Sequence, residues 1–109
     1  MNKKINLPMY LVSLEQDVAR REALEKRFPK YYSEFIHFKA VDGRKLPAKE
    51  YYDATLNFFH KHKRPMSPAE LGCTLSHIKA LESFLSTSAP FALILEDDVL
   101  GNDTNLEQL

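Results

Sequence analysis

The chain has 109 residues, is 44% hydrophobic and balances 15 basic against 15 acidic side chains. That length suits one domain, residues 1–109, with a real core, while zero net charge argues against a general nucleic-acid binder and no apolar run reaches the ~20 residues of a membrane-spanning helix. Cys73 is the only cysteine, which excludes an intramolecular disulfide and fits a reducing cytoplasm.

The start, Met1 to Pro8, resembles a charged leader, but Pro8 interrupts the apolar stretch, which stops at Glu15 with no small-residue cleavage site, so no signal peptide is expected. Leu7 to Leu14 reads as a first strand, with Tyr10, Leu11, Val12 and Leu14 as its strand-forming or apolar members. Asp17 is placed to cap a helix from Val18 to Phe28 that Pro29 ends. Arg21 with Glu25 and Glu22 with Lys26 are spaced as i,i+4 pairs on its wet face, and Leu24 and Phe28 mark its apolar stripe.

Phe35 to Val41 reads as a second strand, closed by the turn signal Asp42-Gly43. Strand, helix, strand in this order predicts a right-handed βαβ unit with parallel strands. Pro47 to Tyr52 starts another helical or irregular segment, and Asn57 to Pro65 reads as a basic loop containing His60-Lys61-His62-Lys63-Arg64. That cluster could receive an anionic acceptor or a membrane surface, although an exposed loop needs neither; two histidines alone are too few for a metal site. Ser67-Pro68-Ala69-Glu70 combines a capping box with proline at the first helical position, predicting a helix from Pro68 to about Ser86. Leu71, Leu75, Ile78, Leu81 and Leu85 then read as its buried stripe, and Cys73 as a small core residue. No internal repeat or low-complexity segment is apparent.

Phe91 to Leu95 is a continuous apolar run, the pattern of a strand buried on both faces, and it ends in Glu96-Asp97-Asp98. Three adjacent carboxylates cannot follow the strand into the core, so they belong where it emerges. In open α/β sheets the carboxyl ends of the strands line the ligand crevice. Acids clustered there repel one another unless a cation joins them, and hard oxygen ligands with no nearby cysteine suit Mg²⁺ or Mn²⁺ holding a phosphorylated substrate. Alternation along an extended chain would put Glu96 and Asp98 on one face and Asp97 on the other.

Arg20, in the first helix's opening turn, is placed to hold a phosphate or pair with an acid, with Arg21 as its alternative; snorkelling past the core edge is the plain reading. Gly43 would let the backbone approach a ligand, and Asp42 could accept from a ribose or base, unless the pair is simply a turn. Ser76-His77 lies beside the third helix's stripe, where a histidine is more often a packing residue than a catalyst.

Four blocks carry a family resemblance: Tyr-Leu-Val-Ser-Leu-Glu-Gln-Asp-Val-Ala-Arg-Arg-Glu from Tyr10 to Glu22, Ala-Val-Asp-Gly from Ala40 to Gly43, Glu-Leu-Gly-Cys-Thr-Leu-Ser-His from Glu70 to His77, and Leu-Ile-Leu-Glu-Asp-Asp-Val from Leu93 to Val99. In this order they resemble the family 25 glycosyltransferases, which include bacterial lipooligosaccharide galactosyltransferases. The resemblance implies an α/β, Rossmann-like parallel sheet with flanking helices, the N-terminal half of a GT-A type nucleotide-sugar fold. It implies inverting transfer of a sugar, commonly galactose from UDP-galactose, to a lipooligosaccharide or lipopolysaccharide acceptor. Glu96-Asp97-Asp98 would be the acidic motif that holds Mn²⁺ (or Mg²⁺) and the diphosphate, with Glu96 and Asp98 on the metal, Asp98 most directly, and Asp97 on the nucleotide sugar. Ser13, Leu14, Arg20, Asp42, Gly43, Ser76 and His77 would line the donor pocket. The family's first-strand block usually reads closer to Asn-Leu-Asp-Arg where this chain has Ser13-Leu14-Glu15-Gln16.

Family members are usually more than twice this length, so acceptor recognition and the general base that an inverting transfer needs are expected outside these residues, and no catalytic base is assigned among them. A donor-binding part of this kind is expected in the cytoplasm, peripheral at the inner membrane. With its last strand on a bare sheet edge it is expected to form a homodimer or larger assembly. Two other readings use the same residues: a non-catalytic family member acting as a binding or assembly module, and a small metal-dependent phosphohydrolase.

Overall fold

The computed structural model describes residues 5–109. In chain order it forms β1 (Met9–Ser13), α1 (Val18–Arg27), β2 (Phe35–Lys39), α2 (Ala48–His62), α3 (Pro68–Leu85), β3 (Leu93–Glu96) and α4 (Asp103–Glu107), with short 3₁₀ turns at Tyr32–Glu34 and Gly43–Lys45. The three strands form one parallel sheet in the order β2-β1-β3, with Met9 opposite both Phe35 and Leu93. This is the expected α/β fold: a Rossmann-like parallel sheet flanked by helices.

β1 is paired on both edges and packed on both faces, and all five of its residues are buried. Its alternating side chains feed two cores. Met9 and Leu11 join Leu24, Phe28, Tyr31, Leu95 and Leu106 on the α1 and α4 side. Tyr10 and Val12 join Ala80, with Phe38, Phe84 and Ile94 around them, on the α3 side. Leu24 and Phe28 are buried as their spacing predicts, Phe28 standing just past the helix end.

Several expectations give way. Asp17 occupies the position before α1, but its side chain makes no capping bond. The i,i+4 pairs of α1 do not form; Arg21 instead turns back to donate to Ser13 Oγ, Leu14 O and Glu15 O, which fixes the β1–α1 turn. The strands are shorter than read: β1 starts at Met9 rather than Leu7 and ends at Ser13, β2 ends at Lys39 rather than Val41, and β3 starts at Leu93 rather than Phe91. The basic stretch is not a loop: α2 runs on through His60-Lys61-His62 and stops at Lys63, which adopts a left-handed φ of 58°. Basic side chains favour the negative end of a helix dipole, so the charge run is a helix terminus.

α3 starts at Ser67 as predicted, with both halves of the capping box made. Its buried face is not the large apolar stripe. Leu71, Gly72, Ser76 and Ala80 are buried, whereas Ile78, Leu81 and Leu85 are 44%, 48% and 78% exposed. The small residues win because they admit another backbone. A Cβ on Gly72 would lie 2.5 Å from Val41 O, and one on Gly43 would lie 1.8 Å from Pro68 O. The helix therefore docks directly on the turn after β2.

Candidate functional site

β2 and β3 lie on opposite sides of β1, so the chain reverses direction across the sheet at β1, and a crevice opens outside the strands' carboxyl ends. The crevice is a cavity of about 450 Å³ lined by Ser13 and Leu14 after β1, Arg20 from α1, Asp42 and Gly43 after β2, Ser76 from α3, and Glu96, Asp97 and Asp98 after β3. Nine of the ten residues singled out from the sequence thus share one cavity, and His77 lies in an adjoining one that shares Glu96 and Asp98 with it.

The three acids have three different environments. Asp97 is buried at the switch point. Ser13 Oγ donates to its Oδ2 at 2.7 Å, and Arg20 Nη1 donates to its Oδ1 at 3.2 Å. Arg21 Nη1 donates to Ser13 Oγ at 2.9 Å, so both arginines act on one network. Asp97 holds the Arg20 guanidinium even more firmly protonated than usual, and the rest of Arg20 is exposed. Of the two roles read for Arg20, the acid partner is the one formed.

Glu96 turns toward α3. Cys73 Sγ donates to its Oε1 at 3.1 Å, and His77 Nε2 lies 3.2 Å from the same oxygen. The bond from Cys73, then that from His77, draws the Glu96 carboxyl below the usual range. The same Cys73–Glu96 bond, with some burial, pushes the thiol up. This corrects two expectations at once: Cys73 is exposed rather than a core residue, and a cysteine does stand beside the acids. Nor is His77 a packing residue. One turn apart on α3, both face the end of β3. Asp98 is exposed, and among the described residues its carboxylate has no hydrogen-bond or ion-pair partner.

On the opposite wall, Asp42 accepts from Arg44 N at 3.1 Å and pairs with Arg44 Nε at 3.0 Å, which holds its carboxyl below the usual range. Arg44 and Asp17 also line the cavity, and sequence reading missed both. The basic residue directly after Asp42-Gly43 was the available signal for Arg44. Gly43 does not leave room for a ligand; α3 backbone fills the space its missing side chain vacates. Ser76 is likewise a positioning residue. Its Oγ accepts from Val41 N at 2.8 Å and donates to Gly72 O at 2.6 Å, tying α3 to the β2 turn.

For a hard divalent cation the fit is therefore uneven. Both Asp97 oxygens are engaged, Asp98 is free at the cavity wall, and Glu96 is exposed but held by α3. One or two carboxylates with substrate phosphates and water is an ordinary Mg²⁺ or Mn²⁺ set, so Asp98 with Glu96 suffices in number.

Comparison with known proteins bears on the chemistry. Residues 6–109 match the family model described as "Glycosyltransferase family 25 (LPS biosynthesis protein)". A glycosyltransferase 25 family member of Anopheles gambiae is 36% identical over 96 residues, covering 84% of this chain and 16% of that protein. Its counterparts in Aedes aegypti and Drosophila melanogaster are 33% and 31% identical, with the same shares covered. The chain thus spans about a sixth of the length of these relatives. No solved structure matches it.

Proposed function

The chain belongs to glycosyltransferase family 25, and from that premise we propose that its cavity binds the nucleotide-sugar donor of a metal-dependent sugar transfer. The observation that carries this reading is the convergence of Ser13, Arg20, Asp42 and the three acids on one crevice at the topological switch point, where α/β sheets take phosphorylated ligands. In this reading Glu96 and Asp98 hold Mn²⁺ or Mg²⁺, which when bound neutralises diphosphate charge and assists departure of the leaving phosphate.

The protein's own residues do the positioning. Asp97 fixes Ser13 and Arg20 and so sets the shape of the floor between β1 and β3. Arg20, exposed beyond its contact with Asp97, offers its remaining N–H groups to a donor phosphate. Asp42, held ionised by Arg44, is an acceptor for ribose or base. The donor is UDP-galactose and the acceptor a lipooligosaccharide or lipopolysaccharide glycan at the inner membrane face, in keeping with the lipopolysaccharide wording of the matching family. Calorimetric titration with UDP in Mn²⁺ tests the site. Binding that requires the metal and is lost in Asp98→Ala is expected, and binding that Asp98→Ala leaves unchanged contradicts it.

A further inference from the structure

Cys73, His77 and Glu96 converge from two rigid elements: Cys73 and His77 stand one turn apart on α3, and Glu96 ends β3. Their Sγ, ring nitrogen and carboxylate oxygen all lie within 4.8 Å of one another. We propose that these three side chains form a binding site for a thiophilic divalent cation, Zn²⁺ above all, distinct in chemistry from the hard-cation set of the donor pocket.

Geometry supports it. Tetrahedral zinc with bonds of about 2.3 Å to sulfur and about 2.0–2.1 Å to nitrogen and oxygen separates its ligands by about 3.5 Å for sulfur–oxygen and about 3.3 Å for nitrogen–oxygen. The corresponding separations are 3.1 Å for Cys73–Glu96 and 3.2 Å for His77–Glu96. The third pair, Cys73 Sγ and the His77 ring nitrogen, lies within 4.8 Å, against about 3.5 Å around tetrahedral zinc, so side-chain rotation on α3 has to draw these two together as the ion binds. Three protein ligands leave a fourth position for water, as in open zinc sites, and the exposed Cys73 and Glu96 give the ion a path from solvent.

Charge and ligand type point the same way. Among the described residues Glu96 has no lysine or arginine partner; its hydrogen-bond partners are Cys73 and His77 alone. Binding replaces the thiol proton, which leaves to solvent, with a metal–sulfur bond; no oxidant or reductant takes part. A thiolate and an imidazole favour Zn²⁺ and Co²⁺ over Mn²⁺ and Mg²⁺. Asp98 and a diphosphate do not enter, but Glu96 is shared with the donor reading, so the soft ligands Cys73 and His77 are what set this site apart.

Co²⁺ is the probe, because its thiolate bond gives a near-ultraviolet charge-transfer band and its tetrahedral form gives visible bands. The protein is expected to bind one Co²⁺, to release it to Zn²⁺ and not to Mn²⁺, to lose the charge-transfer band in Cys73→Ser, and to bind at least ~10-fold more weakly in His77→Ala. Far-ultraviolet circular dichroism confirms that each variant is folded, as expected for substitutions at exposed Cys73 and Glu96 and half-buried His77. Absence of the band in the folded protein overturns the site. So does a band that survives in His77→Ala and Glu96→Gln at full affinity, since a single thiol would then be the ligand.

Discussion

Asp97 and Asp98 are adjacent and chemically alike, yet the fold assigns them opposite tasks. Asp97 is buried and satisfied by Ser13 and Arg20. Removing it strands the Ser13 hydroxyl and an arginine contact, and losing a buried hydrogen-bonding group costs about 1–3 kcal/mol. Asp98 has nothing to lose on folding, and a surface change of that kind stays within about 0.5 kcal/mol. Urea denaturation should therefore separate the two: Asp97→Ala unfolds at clearly lower denaturant, while Asp98→Ala unfolds with the parent protein. Equal midpoints would contradict the division of roles. The place of the acidic tripeptide, where β3 ends at the crevice, was legible in the sequence, but its internal division was not. Alternation places a side chain on a face, whereas only the distance to Ser13, 84 positions earlier, makes Asp97 structural.

At the scale of elements, α3 kept its local start signal and lost its expected apolar stripe. The Ser67-Glu70 box is made as read, because cap and helix are neighbours in sequence. Ser67→Ala should cost about 1 kcal/mol, measurable by thermal unfolding. Glu70 adds a pH dependence of known sign. The Ser67 backbone N–H, followed by Arg64, lowers its carboxyl in the folded state. Its contribution is therefore complete above the unfolded value of about 4.3 and is lost as pH falls through the lower folded value. Glu70→Gln keeps the capping contact without the charge and should flatten that part of the acid unfolding curve; an unchanged curve would count against the assignment.

The leucine stripe of α3 failed for a physical reason. At its start the helix meets the Val41–Gly43 backbone, which Gly72 and Ser76 fit, and further on Ala80 packs against Tyr10 and Val12 of β1. Gly72→Ala poses the contest directly. Alanine gains about 1 kcal/mol of helix propensity, while forcing a methyl to 2.5 Å from Val41 O exceeds that with about 1–3 kcal/mol of overpacking. A lower melting temperature is expected; a higher one would show that the docking is loose.

On the scale of the molecule, β3 is one of the sheet's two edge strands among the described residues, and Ile78 and Leu81 expose apolar surface beside Ile94 along it. An unpaired strand edge next to an apolar helix face is a surface made for a neighbour. We expect the chain to self-associate as concentration rises, as the bare edge anticipated from sequence implies. Leu81→Lys should weaken association about tenfold or more without loss of helix, since burying one leucine contributes about 1.5–3 kcal/mol. Sedimentation velocity showing a monomer at every concentration would contradict this.

The central claim is that a metal–nucleotide complex sits where the three parallel strands end. Paramagnetic broadening by Mn²⁺ with UDP reports that location without any assay of transfer. In an amide spectrum, signals of Ser13, Leu14, Asp42 and residues 97–98 should fade first, and should recover when Mg²⁺ replaces Mn²⁺ at the same UDP concentration. Broadening centred on the α2 basic terminus at His60–His62, or none at saturating UDP, would show that the crevice is not the donor site.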